Sequence, residues 1–579
     1  MTHATHTSWC GRPALIAVLS GLALASGSDA LPAAARYFVR GDSNVDGRVN
    51  ISDPIHLLNL LFVGNVDPLS CADAADEDDN GVLNITDAVV TLGYLFLGMA
   101  GPPPPAGKCG LDPTEDDLDC EAFARCEQPS DLVEERWVKR YDGNIESDDE
   151  GRAIALDENG NVIVTGGVRR SGTALDYATI KYDPAGMRLW IAFYDGPGSA
   201  DDSARDVAID SQGNVYVTGG SEGPGRRALT TVKYSPAGKE LWAKRYEGPA
   251  GEDDFGQAIA IDEDGNVHVT GRSGVTSTDS DYITLKYSPS GEELWTPARY
   301  DGPAKGDDEA VAIAVDGSGN VYVTGRSESA ETGYDIATVK YGANGQELWV
   351  ARHDGSAHAG DAAAAIAVDG DGNILVAGST EGSESGLDYT ILKYAPAKTE
   401  IWTRRFDGPL KGDDQATALA VDAAGNVHVT GRIDHFFLCT EEDRLDDKAH
   451  PGDYGTVKYD AAGNLLWLAR YEGADRFSSA FARAIALDGD GNVYVTGADD
   501  HFFECDIELE PTEDDYATLK YSPQGEELWL AIYDGPEDLD DGAADIAVDA
   551  QGDVYVTGRA GSTLFNGGGD IATIRYTPR

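Results

Sequence analysis

Gly319-Asn320-Val321-Tyr322-Val323-Thr324-Gly325 recurs, with small substitutions, eight times between Gly160 and Gly558. Each copy opens on a turn-forming Gly-Asn, alternates β-branched or aromatic residues with others, and stops at Gly. That is how a short strand after a tight hairpin reads. The copies start at Gly160, Gly213, Gly265, Gly319, Gly372, Gly425, Gly491 and Gly552. A recurrence near 53 residues is the signature of a repeat architecture.

Working outward, each repeat holds four strand patterns: Ala-Ile-Ala-Val-Asp-like (a), Val-Tyr-Val-Thr (b), Asp-Tyr-Ala-Thr-x-Lys-Tyr-like (c) and Leu-Trp-x-x-Arg-Tyr-like (d). Four antiparallel strands per repeat predict a propeller blade. Strand c of the last repeat ends at Tyr576 and the sequence stops at Arg579 without a tryptophan strand. Trp137, by contrast, precedes the first strand a. Glu135 to Tyr141 is therefore expected to complete the last blade, an interlock that removes two sheet edges. The fold class expected for residues 132–579 is an all-β eight-bladed propeller, with seven blades plus an irregular repeat as the alternative. Through Asp-x-x-Gly-Asn-Val-Tyr-Val-Thr-Gly and Asp-Tyr-Ala-Thr-x-Lys-Tyr this array resembles the SBBP family of bacterial β-propeller repeats. The resemblance implies an exported propeller with little defined chemistry.

Upstream, Asp42, Asn44, Asp46, Asn50 and Asp53 occupy positions 1, 3, 5, 9 and 12 of a twelve-residue loop with Gly47 at position 6. Asp76, Asp78, Asn80, Asn84 and Asp87 repeat this around Gly81. A hard divalent cation takes six to eight oxygens, and the glycine permits the turn that lets them converge. The carbonyls of Arg48 and Val82 would complete each shell, so two calcium ions are expected. Each loop leads into an apolar helical segment, Ile55 to Phe62 and Ala88 to Leu97, giving a small α-helical, EF-hand-like domain over residues 36–100. This paired-loop segment resembles the dockerin family. The resemblance implies docking to a cohesin-type or cell-surface partner, with Ile51, Ser52, Ile85 and Thr86 contributing to recognition. Position 10 is Ile where cellulosomal dockerins commonly carry Ser. Dockerins often accompany polysaccharide-degrading enzymes. Residues 101–131, with the Pro102 to Pro105 run and an acidic, cysteine-bearing stretch, read as a linker.

Residues 1–35 read as a secretory signal: Arg12, then an apolar run from Ala14 to Ala25 too short to span a bilayer. Export, to the medium or the cell surface, is the expectation. No later stretch has the apolar length of a transmembrane helix. With Cys10 removed, Cys71, Cys109, Cys120, Cys126, Cys439 and Cys505 favour disulfides over thiol chemistry. The pairing of the first four is open, and a zinc site at Cys109, Cys120 and Cys126 is the lesser reading. A formal net charge of −57 excludes nucleic acid and anionic lipid as partners.

Alternating connections divide the propeller into two faces. On one, the Asp-x-x-Gly-Asn turns (Asp157, Asp210, Asp262, Asp316, Asp369, Asp422, Asp488, Asp549) read as hairpin caps. The other varies in length and carries acidic pairs entering strand a, such as Asp201/Asp202 and Asp307/Asp308, either solvated strand entrances or a cation-holding rim. It also receives two long insertions, Asp434-His435-Phe436-Phe437-Leu438-Cys439 and Asp500-His501-Phe502-Phe503-Glu504-Cys505. These read as loops stapled by a Cys439–Cys505 disulfide, with His435, Phe436, Phe437, His501, Phe502 and Phe503 as a recognition patch for a glycan or protein, or as loops packed on the ring.

Catalytic signatures are poor. Gly219-Gly220-Ser221-Glu222-Gly223 fits the serine-elbow pattern but follows a blade strand, where the strand-to-helix turn that exposes such a nucleophile does not form. Neither a metalloprotease His pair, nor a phosphate-binding loop, nor a dinucleotide fingerprint occurs. The function expected is an exported, calcium-binding, non-catalytic interaction protein. The alternative is an enzyme, either a polysaccharide-active propeller or a quinoprotein dehydrogenase.

Overall fold

The computed structural model divides the chain into two compact units, residues 1–127 and 128–579. It describes Leu57, Leu58, Leu61, Ile85 and residues 88–92 of the first. Of the second it describes 133–143, 149–170, 174–198, 200–276, 279–382, 386–435, 452–473, 479–500, 514–535, 540–562 and 569–578.

In the first unit the described residues are helical. Leu57 and Ala88 are fully buried in one cluster, with Leu58 and Leu61 packed against it. Ile85 and Val89 are exposed. All twelve residues assigned to calcium, and Ile51, Ser52 and Thr86, lie outside the described residues. Among the described residues no helix is long and apolar enough to cross a membrane.

The second unit is eight four-stranded antiparallel sheets. In the fourth, strands a to d are Asp308–Val315, Val321–Ser329, Gly333–Tyr341 and Glu347–His353, hydrogen-bonded in that order. Strand a of each blade lies against strand a of the next, and that of the eighth (Asp540–Val548) lies against that of the first (Glu150–Leu156), so the sheets close into a ring. The eighth blade takes its outer strand from upstream, as the leftover tryptophan predicts. Val133–Tyr141 pairs antiparallel with Asp570–Pro578, placing Trp137 opposite Arg575 and Tyr141 opposite Ile571. The third blade's strand d is only Ala298–Tyr300, because Pro297 cannot donate to the ladder.

The cores lie between blades, since every sheet is covered on both faces. Ile154, Val162, Val164 and Ile180 of the first blade share a cluster with Tyr555 and Ile571 of the eighth, so the closing junction is packed like the others. Tyrosines of strand c tie neighbours further: the hydroxyls of Tyr177, Tyr282, Tyr389 and Tyr454 donate to carbonyls of the following blade's strand c at 3.0–3.3 Å.

The tryptophans act as a ratchet. Six of the eight sit between a tyrosine or histidine of their own strand b and the last tyrosine of the next blade's strand c, as Trp242 does between Tyr216 and Tyr287, while in the blades of Trp190 and Trp402 the strand-b residue is Ile163 or Leu375. The indole Nε1 donates into the next blade's c–d turn: Trp190 to the carbonyl of Pro236 at 2.9 Å, Trp295 to Ala343 at 3.0 Å, Trp467 to Pro523 at 3.0 Å. Trp137 makes the same bond to Pro184 of the first blade at 3.1 Å. The c–d turn glycine is held to φ near +80° and lies flush against that ring. A Cβ on Gly238 would meet Trp190 at 2.6 Å. Closure leaves one site unmatched. Pro578, which aligns with Pro523, continues in the strand opposite Val133 instead of turning, and Trp529 Nε1 is buried without an acceptor among the described residues.

Candidate functional site

The face made by the a–b and c–d turns is chemically saturated. Asp157 Oδ1 accepts the N–H groups of Asn159 and Asn161 at 2.9 and 3.0 Å, Oδ2 accepts the Asn161 side chain at 2.8 Å, and Lys181 of strand c pairs with it at 2.7 Å. Asp262 and Asp369 repeat this with Lys286 and Lys393. Burial would raise the pKa of Asp157, but the ammonium and the asparagine donors outweigh it and hold the carboxyl below its usual range. With every oxygen occupied, these turns are hairpin staples.

On the opposite face the aspartates of the acidic pairs make structural hydrogen bonds. The second aspartate is buried and accepts the N–H of the d–a turn glycine: Asp202 from Gly196, Asp361 from Gly355 and Asp414 from Gly408, each at 2.5 Å. In Asp361 and Asp414 the other oxygen accepts an N–H near the end of strand b, from Glu381 at 3.0 Å and from Asp434 at 2.7 Å. The first aspartate caps the preceding blade's strand c, Asp201 accepting from Leu175 at 3.1 Å and Asp413 from Leu387 at 3.0 Å. Burial pushes Asp149 and Asp414 up to about 7 and Asp361 and Asp541 to about 6.

Five junctions bring three carboxylates together: Asp176/Asp195/Asp202, Asp281/Asp301/Asp308, Asp335/Asp354/Asp361, Asp388/Asp407/Asp414 and Asp515/Asp534/Asp541. In four of them an arginine pairs with the strand-c aspartate: Arg170, Arg299, Arg352 and Arg405. Arg352, from the Leu-Trp-x-x-Arg-like segment, shows what that residue does. It bonds Asp335 at 2.7 Å, the Tyr300 hydroxyl at 2.9 Å and the Ser327 carbonyl at 3.1 Å, locking two blades together. Ser221 lies in strand b (Val215–Gly223), and its Oγ accepts from the guanidinium of Arg245, which cannot serve as a general base.

Two cavities lie on this second face. One cavity of about 440 Å³ is bordered by Glu252, Asp253, Arg272 and Asp307 between the third and fourth blades. Another, of about 350 Å³, lies where strands a begin, lined by Glu150, Arg152, Arg205, Thr417, Phe481 and Arg483. Each strand a carries a β-bulge at the same place, and the extra residue is Arg152, Arg205 and Arg483 in blades one, two and seven. Sequence reasoning missed these arginines. A bulge adds one residue without altering the Ala-Ile-Ala pattern after it, and the only trace is a variable residue before that pattern. Asp206 and Asp545, one residue past the bulge, accept N–H groups from Ile259 and Ile154 of the next blade at 2.8 and 2.9 Å, and burial raises them to about 6 and 7.

His435 ends strand b of the sixth blade opposite Asp413. Phe436, Phe437, Cys439, His501, Phe502, Phe503 and Cys505 lie outside the described residues. Asp434, the first residue of the insertion, is buried with φ +57° and accepts the Leu410 N–H at 2.7 Å.

The SBBP beta-propeller repeat matches residues 196–225, 241–277 and 302–330. A curated relative, an uncharacterised WD repeat-containing protein of Acanthamoeba polyphaga mimivirus, is 25% identical over 468 residues. That match covers 63% of this chain and 31% of the relative, so the chain corresponds to about a third of that protein's length. Among solved structures, Sqt1 from Chaetomium thermophilum aligns with 77% of this chain and all of its own (100%), at 11% identity and a TM-score of 0.45. The periplasmic gluconolactonase of Pseudomonas aeruginosa covers 55% of this chain and 84% of its own, at 12% identity and a TM-score of 0.34.

Proposed function

We propose that this is an exported binding protein in which a calcium-loaded, dockerin-like module anchors the chain to a cohesin-type or cell-surface partner, and the propeller presents a ligand face built from the b–c and d–a connections. The observation that carries the reading is the contrast between faces. On one, the turn aspartates are engaged by their own hairpins, and Asp157, Asp262 and Asp369 also by a strand-c lysine. On the other lie both cavities and the two long insertions. Leu57 and Ala88, in the helical segments after the two loops, pack together as paired calcium loops require.

Two measurements test it. Calcium titration of the full chain saturates near two ions, and Asp42→Ala with Asp76→Ala abolishes that uptake; unchanged binding in the double variant removes the module's assignment. Pull-down from the native cell surface recovers a partner with calcium and loses it with chelator. Recovery indifferent to chelator contradicts the docking role, and glycan turnover by the purified chain would replace the binding reading with an enzymatic one.

A further inference from the structure

We propose that the arginine-lined mouth of the central channel binds a small polycarboxylate anion, an inference that rests on the b–c/d–a face being the ligand face. Arg152, Arg205 and Arg483 come from three different blades yet line one cavity of about 350 Å³. Each stands at the bulge of its strand a, where the extra residue has no partner across the ladder. The remaining bulge positions hold Gln257, Val311, Ala364, Thr417 and Ala544, so the charge gathers on one side of the channel.

Only one of these three guanidinium groups has a carboxylate partner among the described residues. Arg152 pairs with Glu150 at 2.6 Å. Among the described residues Arg205 and Arg483 form no ion pair; they lie over Phe255 and Phe481 at 5.0 and 5.2 Å from the ring centres. The carboxylates one residue past the bulge in blades two and eight are already engaged. Asp206 accepts from Val207 and Ile259, and Asp545 from Ile546 and Ile154. Burial, followed by the positive charge of Arg152, lowers Arg205 to about 10, and the opposing pull of Glu150 and Glu309 does not offset it.

In a chain of net charge −57, such a gathering favours an anion that reaches several arginines at once. The guanidinium fork matches a carboxylate through two parallel N–H···O bonds. The Phe481 ring supplies an apolar wall for a carbon skeleton, which inorganic phosphate would leave uncovered. Free polycarboxylic acids and the acidic ends of uronate chains share this chemistry.

The test is isothermal titration calorimetry of the full chain in calcium buffer with tricarballylate, trigalacturonate, maltotriose and inorganic phosphate as separate probes. Saturable binding of tricarballylate or trigalacturonate is expected, the tighter of the two naming the source, with no binding of maltotriose. Arg205→Gln with Arg483→Gln should weaken that binding by about tenfold or more, while Lys239→Gln, on the opposite face, should leave it unchanged. Both variants should melt like the parent, because the two arginines make no ion pair to lose. Equal affinity in the double variant, or phosphate binding tighter than either carboxylate, overturns the assignment. Silent calorimetry with capture of the cell-surface partner intact also overturns it, and leaves the ligand-face reading standing.

Discussion

Lys398 stands where the other c–d turns place glycine. Its N–H donates to the Ala395 carbonyl at 2.9 Å, as Gly186 donates to Asp183, and its φ is +79°. That backbone region costs an L-residue about 1–2 kcal/mol, partly offset by the freedom glycine loses on folding. Lys398→Gly is therefore expected to stabilise the propeller by about 0.5–1 kcal/mol in denaturant unfolding. Trp137 and Trp529 form a second residue-scale test. Trp137→Phe removes the bond to Pro184 and should cost about 1 kcal/mol beyond lost packing, whereas Trp529→Phe deletes an N–H that has no acceptor among the described residues and should cost less. Equal losses would contradict the ratchet. Single residues were also where the sequence was least readable. Asp202 and Asp157 look alike as letters, and only the fold reveals that one ties a turn to a strand while the other pairs with a lysine.

At the scale of elements, the strands were legible because the same alternation returns eight times, and the outer strand of the last blade because a tryptophan was left over at Trp137. What was not legible is how strands meet. Every sheet is covered on both sides, so the inside–outside alternation that assigns one buried face gives no direction here. The bulge in strand a is likewise silent in sequence, and it carries the channel arginines. Deleting residues 132–143 removes the strand Val133–Tyr141 and bares the edge of Asp570–Pro578. The melting temperature of the propeller should fall well beyond the loss from trimming an exposed strand, and an unshifted melt would argue against an interlocked eighth blade.

Across the whole molecule, buried carboxylates set the pH response. Asp149, Asp414 and Asp545 are raised to about 7, and Asp206, Asp361, Asp453 and Asp541 to about 6. The folded chain therefore holds protons that the unfolded chain releases near its ordinary carboxylate pKa. Their contribution is present at low pH and is lost as pH rises through 6 to 7. Two groups oppose it. Burial depresses His268 and His428, whose contribution is lost as pH falls, and the hairpin aspartates Asp157 and Asp369, held low by their donors, lose theirs below about pH 4. Melting temperature should rise from about pH 8 to about pH 5.5 and fall below about pH 4; a steady fall on acidification would contradict the burial of these carboxylates.

Ring closure underlies the junction cores, the channel and both faces, and native-state hydrogen exchange on the full chain reads it directly. The amides of Ile571 to Tyr576 should be as protected as those of Leu229 to Tyr234, an inner strand of the second blade, because both are paired on two sides. Exchange of the last strand as fast as a frayed terminus would mean that residues 133–141 do not cover it, and the closed eight-bladed ring would not stand.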